Sequence, residues 1–286
     1  MAAGRHLNSV LLRRTAQKNR TDFTVFRLLV QRELRSRYRA TVLGWLWSLL
    51  NPLALAVVYT LVFDKFLGLI APVGTPSKSN NFTLHLLTAL LPWNFMVNGV
   101  MNSANGLLGS AALIKKVRFN RSTIVTSIVA AWTFSLSIEL ILLGLLSIFS
   151  AGRWSPVMLA VLPIMMLEIA FVLGMALAFS ALNIFFRDLQ YILPVLFTAW
   201  LYVTPVLYPE NLIPESVSIA GATVPARSLL SGNPMLYFVN SYRDAMYHQR
   251  WPSSKGWLAM FLIGSVSLLL GSVVFARLQR RFAEEL

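Results

Sequence analysis

Between Ala40 and Phe63 the chain carries no charged residue, and comparable stretches recur along almost its whole length. Ser79–Ile114 has none apart from a neutral His85, and Ser122–Gly152 is interrupted only by Glu139. Trp154–Phe186 is interrupted only by Glu168, while Leu189–Pro209 and Gly256–Ala276 are free of charge. A hydrocarbon core ~30 Å thick is crossed by about 20 apolar residues in a helix. Backbone groups in lipid must be satisfied within the protein, so runs of this kind can only be helices or a closed barrel. Stretches this long predict an all-α integral membrane protein, one transmembrane domain over 1–286. Its six spans are expected near 43–66, 84–108, 123–148, 157–182, 189–208 and 257–277.

Composition supports the same conclusion. Only 13% of residues are charged, about half the roughly 25% of a soluble protein, which excludes a soluble globular enzyme. The absence of cysteine removes disulfides, Fe–S clusters and thiol catalysis, and three scattered histidines make a poor metal site. The net charge of +14 could suggest nucleic acid, but its distribution points to topology. With the N-terminus inside, eighteen of the 25 Lys and Arg fall on the cytoplasmic side and seven outside. Both termini are therefore expected in the cytoplasm, with no nucleic-acid partner. The basic opening of the chain leads into a charged segment, not an apolar core with a cleavage site, so no signal peptide is expected.

Residues 22–39 are expected to form a helix lying in the membrane interface. Phe23, Phe26, Val30, Leu34 and Tyr38 recur at helical spacing, with Arg32, Arg35 and Arg39 on the other side. The outer connection Pro209–Lys255 is far longer than the others. Asn233-Pro234 supplies an N-cap and a first-turn proline, and Met235, Phe238, Val239, Tyr242 and Met246 follow as an apolar stripe. Short re-entrant helices over 210–247, capping a cavity, are the expectation.

The search for chemistry is mostly negative. There is no P-loop, nucleophile elbow or zinc-protease motif, and the outer carboxylates Asp64, Glu210, Glu215 and Asp244 are scattered. Catalytic, metal and cofactor-binding residues are therefore not expected in this chain. Glu139 and Glu168 lie inside spans, where a charge costs at least ~2.5–3.5 kcal/mol, so neither should face lipid. Each either lines a path or joins helices through a hydrogen bond. Tyr191, Thr198 and Tyr202 share one face of the fifth span, and Asn51 lies two turns from Tyr59 in the first. Such hydroxyls and rings suit sugars, and they suit helix packing equally well. Trp200 lies about half a turn from the tyrosine face and should meet lipid or another helix.

Four stretches carry a resemblance. RELRSRYRATVLGWLWSLLNPLALAVVYTLVF (Arg32–Phe63), LLTALLPWNF (Leu86–Phe95), FFRDLQYILPVLFTAWLYVTPVLYP (Phe185–Pro209) and NPMLYFVNSYRDAMY (Asn233–Tyr247) occur in order. Together they closely resemble the polysaccharide-exporting ABC-2 permeases, from about Phe23 to near the end of the chain. One departure falls in Val117–Arg121, where Asn120 stands in place of a common proline.

The resemblance implies a homodimer of six-span subunits in the bacterial cytoplasmic membrane, with two copies of a separate cytoplasmic ABC ATPase. That partner would bind ATP and magnesium and drive export of a polyprenyl-diphosphate-linked polysaccharide. The chain itself would be a channel-forming subunit, not an enzyme. Carried onto this sequence, the resemblance assigns the channel lining to Trp47, Asn51, Tyr59, Tyr191, Thr198 and Tyr202. ATPase coupling is expected at the loops between spans, at Lys115, Lys116, Arg118, Arg121, Arg187 and Asp188. Arg32, Arg35, Arg37 and Arg39, at headgroup depth, are expected to receive the substrate's diphosphate, since arginine matches phosphate geometry. The alternatives are an ABC-2 permease for a small lipid or drug, and a membrane-embedded polyprenyl-lipid transferase.

Overall fold

A computed structural model describes residues 23–36, 44–116, 119–219 and 222–285. Helix α1 covers the described residues 23–36. The first apolar run is a composite: a 3₁₀ turn Gly44–Leu46, helix α2 (Trp47–Tyr59) and a π-helical stretch Thr60–Phe66. Then come α3 (Phe82–Gly109), the short α4 (Ala111–Lys116), α5 (Ser122–Ala151), α6 (Val161–Phe185) and α7 (Leu189–Val203). Two short helices follow, α8 (Ala226–Ser231) and α9 (Pro234–Tyr242), the latter extended by a π-helical turn Arg243–His248. The chain closes with α10 (Ser254–Leu278) and the terminal turn α11 (Phe282–Glu285).

Among the described residues, four helical stretches are long and apolar enough to cross a membrane: Phe82–Gly109, Ser122–Ala151, Pro156–Phe185 and Ser254–Arg281. They make this a multi-pass membrane protein. Their ends match sequence signals. The Asn81 side chain accepts from the Leu84 amide at 3.0 Å, and Ser253 accepts from the Gly256 amide at 3.1 Å. Gly152 ends α5 in the left-handed region at φ 65°, which a Cβ would disfavour.

One expectation needs adjustment. The fifth run is helical only to Val203, not to 208, because Thr204 precedes Pro205 and takes an extended ψ of 130°. At about 1.5 Å per residue its 15 residues span only about 22 Å. The all-helical class stands, with one short addition, the antiparallel pairing of Val217–Ile219 with Ala222–Val224. In α1 Leu29 is buried and Val25, Phe26, Val30 and Leu34 are half-buried, whereas Phe23 is exposed and Tyr38 lies outside the described residues.

The bundle is built on two contacts. Along α6 and α10 the backbones touch at Gly174 and Gly271, where a Cβ on either would run into the other helix's main chain. Gly264 approaches the Leu167 carbonyl in the same seam, and Ser267 donates to the Phe171 carbonyl at 2.8 Å. Small residues let membrane helices approach closely enough for dispersion to hold them. Helix α3 then lies in the angle between α5 and α6. Gly99 sits against Val172, Gly106 against Ile128, and Asn183 donates to the Ala104 carbonyl at 3.1 Å. The helices α2 and α7 are attached to α3 more lightly.

At the end of the bundle away from α11, the 67–81 loop is tied to the segment after α9. The Tyr247 hydroxyl donates to the carbonyls of Pro72 and Ser79, at 2.8 and 3.0 Å. The Thr75 amide donates to Nδ1 of His248 at 3.1 Å. That bond needs a neutral imidazole, and burial with the nearby Arg250 and Arg243 charges pushes His248 from 6.5 down to about 4. A base held low in the folded state adds stability in full above about pH 6.5 and loses it as pH falls towards about 4. The melting temperature should therefore drop over that window, and His248→Gln should flatten the decline. An unchanged slope in the variant would remove His248 as the cause.

Candidate functional site

Helix α7 buries only Leu193 and Phe197 completely. Trp200 joins them, edge-on to Trp93 of α3 at 5.7 Å and stacked on Phe197 at 6.2 Å. Its indole nitrogen donates to Asn233 Oδ1 at 2.9 Å. The opposite face is open: Tyr191 is 71% and Tyr202 62% exposed. With Pro194 and Val195, Thr198 and Tyr202 border a shallow depression of about 400 Å³. The Thr198 hydroxyl proton is engaged by the Pro194 carbonyl at 2.8 Å, which leaves its oxygen free to accept.

On α2, Trp47 and Asn51 are also exposed, and Tyr59 is half-buried against Phe63 with ring centroids 6.1 Å apart. A single chain does not bring the two sets together. Helices α2 and α7 flank α3 and lack extensive contact with each other.

The non-helical residues after α7 are held from above. Asn233 caps α9 by accepting from the Met235 amide at 3.1 Å, and its Nδ2 donates to Thr204 Oγ1 at 2.8 Å. Buried Arg243 donates from one terminal nitrogen to the Pro205 and Val206 carbonyls, at 2.7 and 3.3 Å. Irregular backbone away from water needs such partners, and the Arg243 guanidinium supplies them to two carbonyls while Asn233 ties down the Thr204 hydroxyl. Sequence reasoning counted Arg243 among the topology charges and missed this role. Its position within the apolar 233–247 stretch was the available signal.

Of the two carboxyl groups inside spans, Glu168 is fully buried and accepts from the Tyr242 hydroxyl at 2.8 Å, joining α6 to α9. Glu139 is half-buried beside a cavity of about 220 Å³ that is otherwise lined by leucines, among them Leu53, Leu91 and Leu143.

Around the other end of the bundle, Lys115, Lys116, Arg187 and Asp188 are exposed. Arg121 is different: it donates to the Gln279 carbonyl and lies 5.8 Å from the Phe282 ring centroid, so it fastens the end of α10. Arg32 and Arg35 are exposed on α1, while Arg37, Arg39 and Arg118 lie outside the described residues.

Residues 24–247 match the ABC-2 type transporter family. The chain belongs to that family. It is 34% identical over 263 residues to the O-antigen export system permease protein RfbA of Myxococcus xanthus, covering 90% of this chain and 94% of that protein. A Klebsiella pneumoniae protein of the same name is 29% identical, with 92% and 95% covered. The polysialic acid transport protein KpsM of Escherichia coli is 23% identical, with 90% and 95% covered. The family match runs from α1 into the π-helical turn after α9 and so includes α2, α7 and α9.

Proposed function

We propose that this ABC-2 permease is the transmembrane subunit of an ATP-driven exporter for a polyprenyl-diphosphate-linked polysaccharide of the O-antigen type. The observation that carries the proposal is the 34% identity to an O-antigen export permease across 94% of its length. The subunit works as a homodimer in the bacterial cytoplasmic membrane, with both termini inside. Two crossings join the four long ones, the composite 44–66 and α7 with its extension to Tyr208. The open faces of α2 and α7 support this arrangement. Exposed Trp47, Asn51, Tyr191, Thr198 and Tyr202 give a second copy and a glycan a surface to meet. In the dimer these residues, with Tyr59, line the passage, and 210–247 closes its outer mouth.

ATP and magnesium belong to two copies of a cytoplasmic ATPase, which meet the subunit at the exposed Lys115–Lys116 and Arg187–Asp188 loops. Arg32 and Arg35, with Arg37 and Arg39 beyond them in sequence, receive the diphosphate at headgroup depth, where each base gains about 1 kcal/mol from anionic lipid. The test is reconstitution. The chain alone in liposomes should hydrolyse no ATP, whereas the complex with its ATPase should hydrolyse ATP and move lipid-linked glycan across the bilayer. Hydrolysis by the isolated chain, or transport confined to glycan-free lipid, overturns the proposal.

A further inference from the structure

Among the described residues, one face of helix α3 is half-exposed, and four asparagines lie along it. Phe95, Gly99, Val100, Ser103 and Leu107 are buried against the bundle. On the other side Asn94, Asn98 and Asn102 are half-exposed, with Val97 and Met101 beside them, and Asn105 is exposed. Spacings of four, four and three keep these four side chains on one arc. On a helical wheel the arc continues the Leu87–Leu91 face, which borders one cavity with Leu53 of α2 and Glu139 of α5, while Trp93, packed on Trp200 of α7, lies about 100° from Asn94. The asparagines therefore look out on the side of α2, whose Trp47 and Asn51 are exposed.

Their hydrogen bonding is oriented. Asn98 Nδ2 donates to the Asn94 carbonyl and Asn102 Nδ2 to the Asn98 carbonyl, both at 2.8 Å. Each of these two amides keeps its Oδ1 and one N–H for an outside partner. A row of such amides facing hydrocarbon would be poorly satisfied. It matches a ligand rich in hydroxyls, which both donate and accept. Four residues of helix rise about 6 Å, comparable with the advance of one sugar ring along a polymer.

We propose that Asn94, Asn98, Asn102 and Asn105 form a glycan-binding ladder, each side-chain amide hydrogen-bonding a hydroxyl of the passing chain. This rests on the export function proposed above and assigns part of the passage to α3. Each contact is single and repeated, so the polymer can step from one register to the next without being trapped, as conduction requires.

The experiment uses the full complex with its ATPase, reconstituted with lipid-linked glycan, and compares wild type with Asn98→Leu and Asn98→Leu/Asn102→Leu. Leucine keeps the bulk and removes the acceptor. Glycan export per folded dimer should fall at least tenfold in the double variant, with dimer content and glycan-free ATP hydrolysis unchanged. A photo-crosslinking residue at Met101, on the same face, should label glycan in the wild-type background. Undiminished export per dimer overturns the ladder, and so does loss of dimer with export per remaining dimer preserved, which would make the stripe a helix-packing seam. A wild-type complex that moves no glycan would instead sink the export function itself.

Discussion

Gly271→Leu is expected to abolish the folded protein. A side chain there meets the main chain of Gly174, not the movable end of another side chain. The helices can make room only by separating, and that would also strain the Ser267–Phe171 bond and the Gly264–Leu167 approach. Overpacking typically costs ~1–3 kcal/mol where neighbours can shift, and here both neighbours are backbone, so the cost should reach the top of that range or pass it. Gly109→Ala, with nothing within 4 Å of the new methyl, is the control and should leave the yield unchanged. The measurement is the monodisperse fraction after detergent extraction. Equal yields for both variants would show that the α6–α10 seam tolerates widening.

Trp200→Ala should be the second large effect, and Tyr202→Ala its contrast. The Trp200 ring touches Trp93 and Phe197 and holds Asn233, so its loss empties a packed site and should cost about 3–5 kcal/mol. It also frees the Asn233 carbonyl oxygen from its indole partner, loosening α9 from α7. Tyr202 is largely exposed, and its truncation should leave the amount of folded protein near wild type while lowering glycan export per folded dimer. If Tyr202→Ala unfolds the chain and Trp200→Ala does not, the two faces of α7 have been exchanged.

The helices α5, α6 and α10 were legible because a long run without charge has few other solutions in lipid. The division of α7 into a packed tryptophan face and an open tyrosine face was legible too, since spacings of seven and four fix a helix face whatever surrounds it. The early end of α7 is a local effect of Pro205 on Thr204 that hydropathy does not register. The hairpin at 217–224 is too short to leave a periodic signal. Arg243 was read as a topology charge and Arg121 as a contact for the ATPase, because a formal charge count ignores which carbonyls lie nearby. Both turn out to satisfy main-chain oxygens from distant parts of the chain. The asparagines of α3 escaped for the opposite reason. They carry no charge, so they vanish into an apolar run, although their spacing of four, four and three was there to be counted.

The reach of Arg243 back to Pro205 and Val206 has a mechanical consequence. Its two acceptors lie 38 and 37 residues earlier, at the point where α7 stops being a helix. A longer α7 could not take over the Pro205 carbonyl, because the amide it would need, four residues on, belongs to Pro209, which has no N–H. The guanidinium is therefore the standing partner of the strand that leaves α7, and if α7 frayed further the same side chain would be drawn along with it. The position of that strand and the seating of the turn after α9 are thus two readouts of one variable, like a bolt whose thread and head cannot turn separately.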